Sequence, residues 1–296
     1  MAGHHHGGNA NERRLGWALG LAATYMLAEA VGGWWTGSLA LLADAGHMLA
    51  DVFALGLSLI AARLARRPAG RQQTYGHHRT EVLAALTNGI LLVCVALLVI
   101  TEAFDRIGTS REILGGPMFA IATGGLLVNL AGLWILGAGR RENLNVRGAW
   151  LHVAADAMGS VGAMTAGVLV WAFGWVWADA AASIAIAVLI LYASWSLLRE
   201  AVGVLMEWAP ANVDVAQVEA SILRLEDVLA VHDLHVWTIS SGRIALSGHV
   251  VAARESDRDK LLQSVSDSLH QNFQIEHSTI QIETEDFDEP GGVCFT

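Results

Sequence analysis

His47 and Asp51 stand four residues apart in SLALLADAGHMLADVFALGLSLIAA, and His152 and Asp156 repeat that spacing in AWLHVAADAMGSVGAMTAGVLVWAF. On a helix, a four-residue step puts both side chains on one face, about one turn apart. Both stretches are otherwise apolar enough to lie in a bilayer, where a carboxylate costs roughly 2.5–3.5 kcal/mol even on the lenient insertion scale. So costly a set needs a joint purpose. Two imidazole nitrogens and two carboxylate oxygens form a tetrahedral donor set suited to Zn²⁺. One such residue alone would read as helix glue, the use bundles make of Ser, Asn and His. Two HxxxD pairs on separate spans read as a metal site. Asp44, three residues before His47, lies near the same face; a proton relay, support for the ligands and plain helix packing are all open to it.

The elements that must hold these residues are membrane helices. The chain has 296 residues, 54% of them hydrophobic and 16% charged, with a mean hydropathy of +0.45. A soluble domain carries about 25% charged residues. Runs long enough to cross ~30 Å of hydrocarbon fall at 15–35, 39–65, 80–104, 115–138, 147–173 and 176–200. Arg13 and Arg14 precede the first run; Arg63, Arg66, Arg67, Arg71 and Arg79 fill the second connection, and Arg140, Arg141 and Arg147 the fourth. The first and fifth connections, GGWWTGS and FGWVW, hold no Lys or Arg. By the positive-inside rule both termini are cytoplasmic, with Trp34, Trp35, Trp175 and Trp177 in the opposite aromatic belt.

From Pro210 onward, charge and strand-like alternation return. This part reads as helix (Val213–Leu225), strand (Ala230–Ser240), strand (Arg243–Ala252), helix (Asp257–Phe273) and strand (Ser278–Thr284), with Ser-Gly at 241–242 as hairpin turn. The order αββαβ predicts a small α+β sandwich, its helices on one face of a three-stranded sheet. The expected organisation is a flexible His-containing segment (1–12), a six-span domain (13–207), a cytoplasmic α+β domain (208–285) and an acidic tail (286–296). The tail and the soluble domain carry most of the net charge of −10, which speaks against nucleic-acid binding. Two cysteines, Cys94 and Cys294, imply no disulfide framework. The first fifteen residues lack the apolar core of a cleavable signal peptide. His4, His5 and His6 are candidates to pass metal inward from the membrane surface.

SLALLADAGHMLAD, YGHHRTEVLAALTNG, LHVAADAMGSVG and VHDLHVWTISSG, in that order, resemble the signature stretches of the cation diffusion facilitator family, nearest its zinc-type branch. The likeness covers residues 13–285. It implies a homodimer of six-span protomers, each with a metallochaperone-like cytoplasmic domain, exchanging a divalent metal for protons at one intramembrane site. Carried over, that site is His47 and Asp51 with His152 and Asp156. Branches taking manganese or iron usually have Asp where His47 stands, so nitrogen here argues for Zn²⁺, with Cd²⁺ or Co²⁺ as alternatives. A further family site before the third span is only partly present: His77 matches, but Gly70 and Gln73 replace other ligands, with His78 adjacent. The resemblance puts cytoplasmic metal ligands at His232, His249 and Glu283, the two histidines on adjacent strands of the expected hairpin. Where some relatives have a fourth ligand this chain has Gln281, leaving His277 and Cys294 as candidates.

Imidazole and carboxylate bind metal only when deprotonated, so metal arrival releases protons and protonation expels metal. With imidazole titrating ordinarily near pH 6.5, a bacterial inner membrane with an acidified exterior would drive metal outward by alternating access. The expectation is therefore transport without catalysis. A membrane zinc protease would need an open coordination position and a base, typically HExxH, which is absent. A membrane metal sensor that binds without transport is the remaining alternative.

Overall fold

The structure is a computed structural model that describes residues 6–65, 67–107, 112–137, 144–240 and 242–287. Six long helices come first: α1 (His6–Thr36), α2 (Leu39–Ala65), α3 (Thr80–Arg106), α4 (Gly115–Gly137), α5 (Leu144–Phe173) and α6 (Trp177–Leu205). Among the described residues, five of them, α2 to α6, are long and apolar enough to cross a membrane. In α1 the polar stretch through Arg14 precedes the apolar run expected to span. Leu98, Leu127, Trp134, Trp171, Tyr192 and Trp195 all point outward, an apolar exterior that lipid rather than water would solvate.

The chain divides into two compact units, Met1–Leu57 with Thr87–Leu197, and Ser58–Leu86 with Leu198–Thr296. In the first, the buried residues of α4 are Gly115, Met118, Ala122, Gly125, Asn129, Gly132 and Leu136, alternating three- and four-residue steps. That stripe of mostly small residues lets α5 approach closely. A methyl on Gly115 would meet the Trp171 backbone nitrogen at 2.5 Å, and one on Gly167 would meet that of Phe119 at 2.9 Å. Small side chains thus fix the height of α5, and with it His152 and Asp156. The first unit's apolar core runs through Leu41, Ala43, Leu92, Met118, Ala163 and Ile190.

In the second unit, α7 (Val215–Ile222), β1 (Val228–Ser240), β2 (Arg243–Ala252), α8 (Arg258–Phe273) and β3 (His277–Thr284) reproduce the expected αββαβ order. The sheet order is β1-β2-β3, antiparallel then parallel. Gly242 takes φ +73 in the turn closed by Ser240 and Arg243. Val218 and Ile222 of α7 and Leu261, Val265 and Leu269 of α8 share one core with Leu246, Val250, Ile280 and Ile282. Those strand residues occupy even positions, so the odd ones, His249, Gln281 and Glu283 among them, lie on the sheet face away from the helices. Asp214 and Asp257 cap the helices; the Lys260 amide holds the Asp257 carboxyl below its ordinary value.

Candidate metal centre

α2 and α5 bring their HxxxD pairs together. His152 Nε2 lies 3.1 Å from Asp51 Oδ2 and 3.8 Å from Asp156 Oδ2. His47 Nε2 lies 3.5 Å from Asp51 Oδ2 and 3.8 Å from Asp156 Oδ1. The two imidazole centroids are 5.8 Å apart. Zinc bonds of about 2.05 Å in a tetrahedron set ligand atoms about 3.4 Å apart. Asp51 Oδ2 stands near that separation from both nitrogens, whereas Asp156 approaches His152 through Oδ2 and His47 through Oδ1, each at 3.8 Å. Ligand atoms of His47, His152 and Asp156 also fall mutually within 4.8 Å. The His152 side chain is 48% exposed and that of Asp156 10%.

Asp44 is buried, and its Oδ1 lies 3.6 Å from where a methyl on Gly159 would stand. It therefore faces α5 one turn beyond Asp156 and is not among the converging ligand atoms. Ser38 caps the start of α2, its hydroxyl accepting from the Leu41 amide at 3.2 Å. Gly37, at φ +74, makes the turn before it.

The second cluster lies on the helix-free face of the sheet. His232 pairs directly with His249 across β1 and β2, their ring centroids 5.0 Å apart. Glu283 spans them: its Oε2 is 3.1 Å from His232 Nε2 and its Oε1 2.9 Å from His249 Nδ1. Gln281 donates to the same carboxylate at 2.8 Å. Two imidazoles, one carboxylate and separations within 4.8 Å suit a divalent ion. A one-residue register shift between His232 and His235 accompanies Asp233 at φ +50. His235 then pairs with Asp233 at 3.0 Å, outside the cluster.

Other sequence candidates fall elsewhere. His277 opens β3 beside Ala245 and packs edge-on to Tyr75, six residues from Glu283. At a strand rise of about 3.3 Å per residue that is about 20 Å of strand, so the structure does not bring it to the cluster. Cys294, His4 and His5 lie outside the described residues. His77 has a buried Nδ1 with no hydrogen-bond partner among the described residues, and His78 Nε2 accepts from Arg243 at 2.8 Å. Glu29 and Asn88 are buried polar groups that the HxxxD spacing gave no reason to include. The only signal for Glu29 was a lone carboxyl in an apolar run.

Residues 17–206 match the family model described as the cation efflux transmembrane domain, and residues 210–285 that of the cation efflux protein, cytoplasmic domain. Zinc transporter ZitB of Escherichia coli (strain K12) is 44% identical over 275 residues, covering 92% of this chain and 88% of that protein. A cadmium, cobalt and zinc/H(+)-K(+) antiporter of Bacillus velezensis is 41% identical over 286 residues, covering 95% and 91%. The metal cation efflux system protein CzcD of Cupriavidus metallidurans is 41% identical over 286 residues, covering 95% and 90%.

Proposed function

This chain belongs to the cation diffusion facilitator family, in its zinc-type branch, and on that footing we propose that it exports Zn²⁺ from the cytoplasm in exchange for protons. The observation that carries this reading is the approach of His47, Asp51, His152 and Asp156, with nitrogen–oxygen separations of 3.1, 3.5, 3.8 and 3.8 Å, on two membrane helices. Two carboxylates balance the charge of one dication, while the two imidazoles supply neutral nitrogen donors. Loading requires all four to be free of protons, so metal and protons compete for the same atoms. Alternating exposure of the site to the two sides then gives antiport. Relatives named for zinc, cadmium and cobalt support the cargo class, and one named as a proton-linked antiporter supports the coupling.

The chain is an integral membrane protein, and the arginine-rich second and fourth connections favour both termini in the cytoplasm of a bacterial inner membrane. The α+β domain is then cytoplasmic, and it joins two protomers into a homodimer. His232, His249 and Glu283 would hold a divalent ion there; bound, it supplies a charge that ties three strands together. In this reading the domain adjusts transport and does not conduct. Transport and not catalysis is the activity. Sealed inverted vesicles carrying the protein, tested with Zn²⁺, Cd²⁺ and Mn²⁺ under an imposed pH gradient, decide the matter. Accumulation of Zn²⁺ that collapses with the gradient is the expected result; metal binding without flux would make the protein a sensor.

A further inference from the structure

α1 carries one carboxyl within the bundle, Glu29, to which the transport cycle above gives no part. Its residue is 1% exposed, and its Oε2 has no hydrogen-bond partner among the described residues. No Lys or Arg pairs with it there, and no hydrogen bond joins it to any of the four metal ligands. It sits in the hollow left by a glycine of α4. A methyl on Gly125 would stand 2.6 Å from Glu29 Oε1, 3.0 Å from the Tyr25 ring and 3.3 Å from Ser160 Oγ. Asn129 donates to that Ser160 hydroxyl at 3.1 Å, and the Tyr25 hydroxyl donates to the Ile121 carbonyl.

The titratable groups within electrostatic reach are Tyr25 on its own helix, Asp44 on α2 and Asp156 on α5. α4 contributes only uncharged groups, Gly125 and Asn129. A carboxylate fixed in its ionised form, buried within electrostatic reach of two other carboxyls and with no Lys or Arg paired to it among the described residues, would cost several kcal/mol. Glu29 must therefore be able to hold a proton for part of any cycle. A dication entering among Asp156 and its partners brings two positive charges into the same low-dielectric field, and so favours the ionised form.

We propose that Glu29 is a proton carrier of the antiport cycle, losing its proton when metal occupies the His47–Asp51–His152–Asp156 site and regaining it when metal leaves, without touching the metal. On loading, the acid O–H bond breaks and the proton goes to water on the side to which the site is open; on release the reverse occurs. The proposal rests on the antiport reading and extends it by adding a proton that no ligand atom carries.

The test is calorimetry of Zn²⁺ binding to the full-length protein in detergent, in two buffers of different ionisation heat, which counts protons released per metal. Glu29→Gln keeps the shape of the neutral acid, and should release about one proton fewer per Zn²⁺ while still binding Zn²⁺. Its Zn²⁺/Zn²⁺ exchange at equal pH should persist in liposomes, and the pH profile of its net transport should flatten. Glu29→Asp should restore the count. An unchanged count and profile in Glu29→Gln would make Glu29 a structural acid, and loss of Zn²⁺ binding in the folded variant would make it part of the metal site; either overturns the proposal. Infrared difference spectra of the wild type cover a variant that fails to fold. A protonated-carboxyl band that shifts on ¹³C-glutamate labelling should vanish on Zn²⁺ addition, and absence of such a band also overturns it. If the wild type itself releases no protons, the antiport reading fails; if it does and Glu29→Gln releases as many, only the assignment of Glu29 fails.

Discussion

The Asp179 carboxylate at the start of α6 takes the Leu39 amide of α2 at 2.8 Å. It also accepts from the Ser38 hydroxyl at 2.6 Å and the Ala40 amide at 3.2 Å. A helix N-terminus leaves its first amides unpaired and favours negative charge. α6 supplies both needs of α2, the helix that carries His47 and Asp51. Arg106 NH1, 4.0 Å from the same carboxylate, donates to the Gly37 carbonyl at 2.6 Å and so ties the preceding turn. Asp179 thus sets where α2 begins, and through it the height of His47 and Asp51, two of the proposed metal ligands.

Asp179→Ala should orphan three buried donors at about 1–3 kcal/mol each and lower the melting temperature in detergent. Because it displaces ligands without removing one, Zn²⁺ affinity should fall about 10–100-fold, as outer-shell changes do. Asp179→Asn, which keeps an accepting oxygen, should fall between. Wild-type melting and flux in Asp179→Ala would show that α2 is held elsewhere.

In the proposed metal site Asp51 stands between the two imidazoles, its Oδ2 within 3.5 Å of both. Asp51→Ala and His152→Ala should each cut proton-driven Zn²⁺ uptake into inverted vesicles by more than about 100-fold, beyond the effect of outer-shell changes. Elution as an intact species in size-exclusion chromatography would show that folding survives. Near-normal uptake by both would remove the metal assignment.

Much of this architecture was legible because its signals are local. Six apolar runs gave the helices, and the Ser-Gly pair at 241–242 gave the hairpin. HxxxD spacing put His47 with Asp51 and His152 with Asp156 on one helix face each, and the structure brings the two pairs together. What was not legible depends on partners distant in sequence. Asp179 meets its amides 139 to 141 residues away. Glu29 has no companion at helical spacing, and its environment is made by Gly125 and Ser160 on other helices. In the soluble domain, Glu283 was expected beside the histidine pair, with His277 and Cys294 as candidates for a further ligand. The parallel register, with Val251 beside Glu283 and Ala245 beside His277, brings only Glu283 to it. Nor did the pattern reveal the register shift at Asp233 that lets His232 face His249 while His235 turns elsewhere.

Selectivity is expected to reside partly in His47. Its Nε2 is one of two nitrogens in a set otherwise of oxygens. His47→Asp would leave three carboxylates and one imidazole, a harder set better suited to Mn²⁺. Mn²⁺ flux should appear, and Zn²⁺ flux should drop at limiting metal. Vesicles given each ion separately read both. Lost Zn²⁺ flux with no gain for Mn²⁺ would put discrimination outside His47.

The soluble domain should act on transport without being part of its path. Its core of Val218, Ile222, Leu246, Val250, Leu261, Val265 and Leu269 is its own, so a fragment from about residue 209 should fold alone and dimerise. Glu283, 5% exposed, holds one imidazole on each oxygen, and a metal ion would replace those contacts with bonds to all three side chains. The double change His232→Ala and His249→Ala leaves that carboxylate buried without either partner and removes both nitrogen donors. Zn²⁺ affinity of the fragment should fall at least about 100-fold, since two of about four donors are lost. In the full-length protein the same change should lower the rate of Zn²⁺ uptake or its response to metal concentration, yet leave proton-driven antiport measurable, because the four intramembrane ligands are untouched. Calorimetry on the fragment and flux on the full-length variant are read together. Unchanged binding by the fragment would make the two histidines surface residues; complete loss of flux in a folded dimer would make them part of the conduction path.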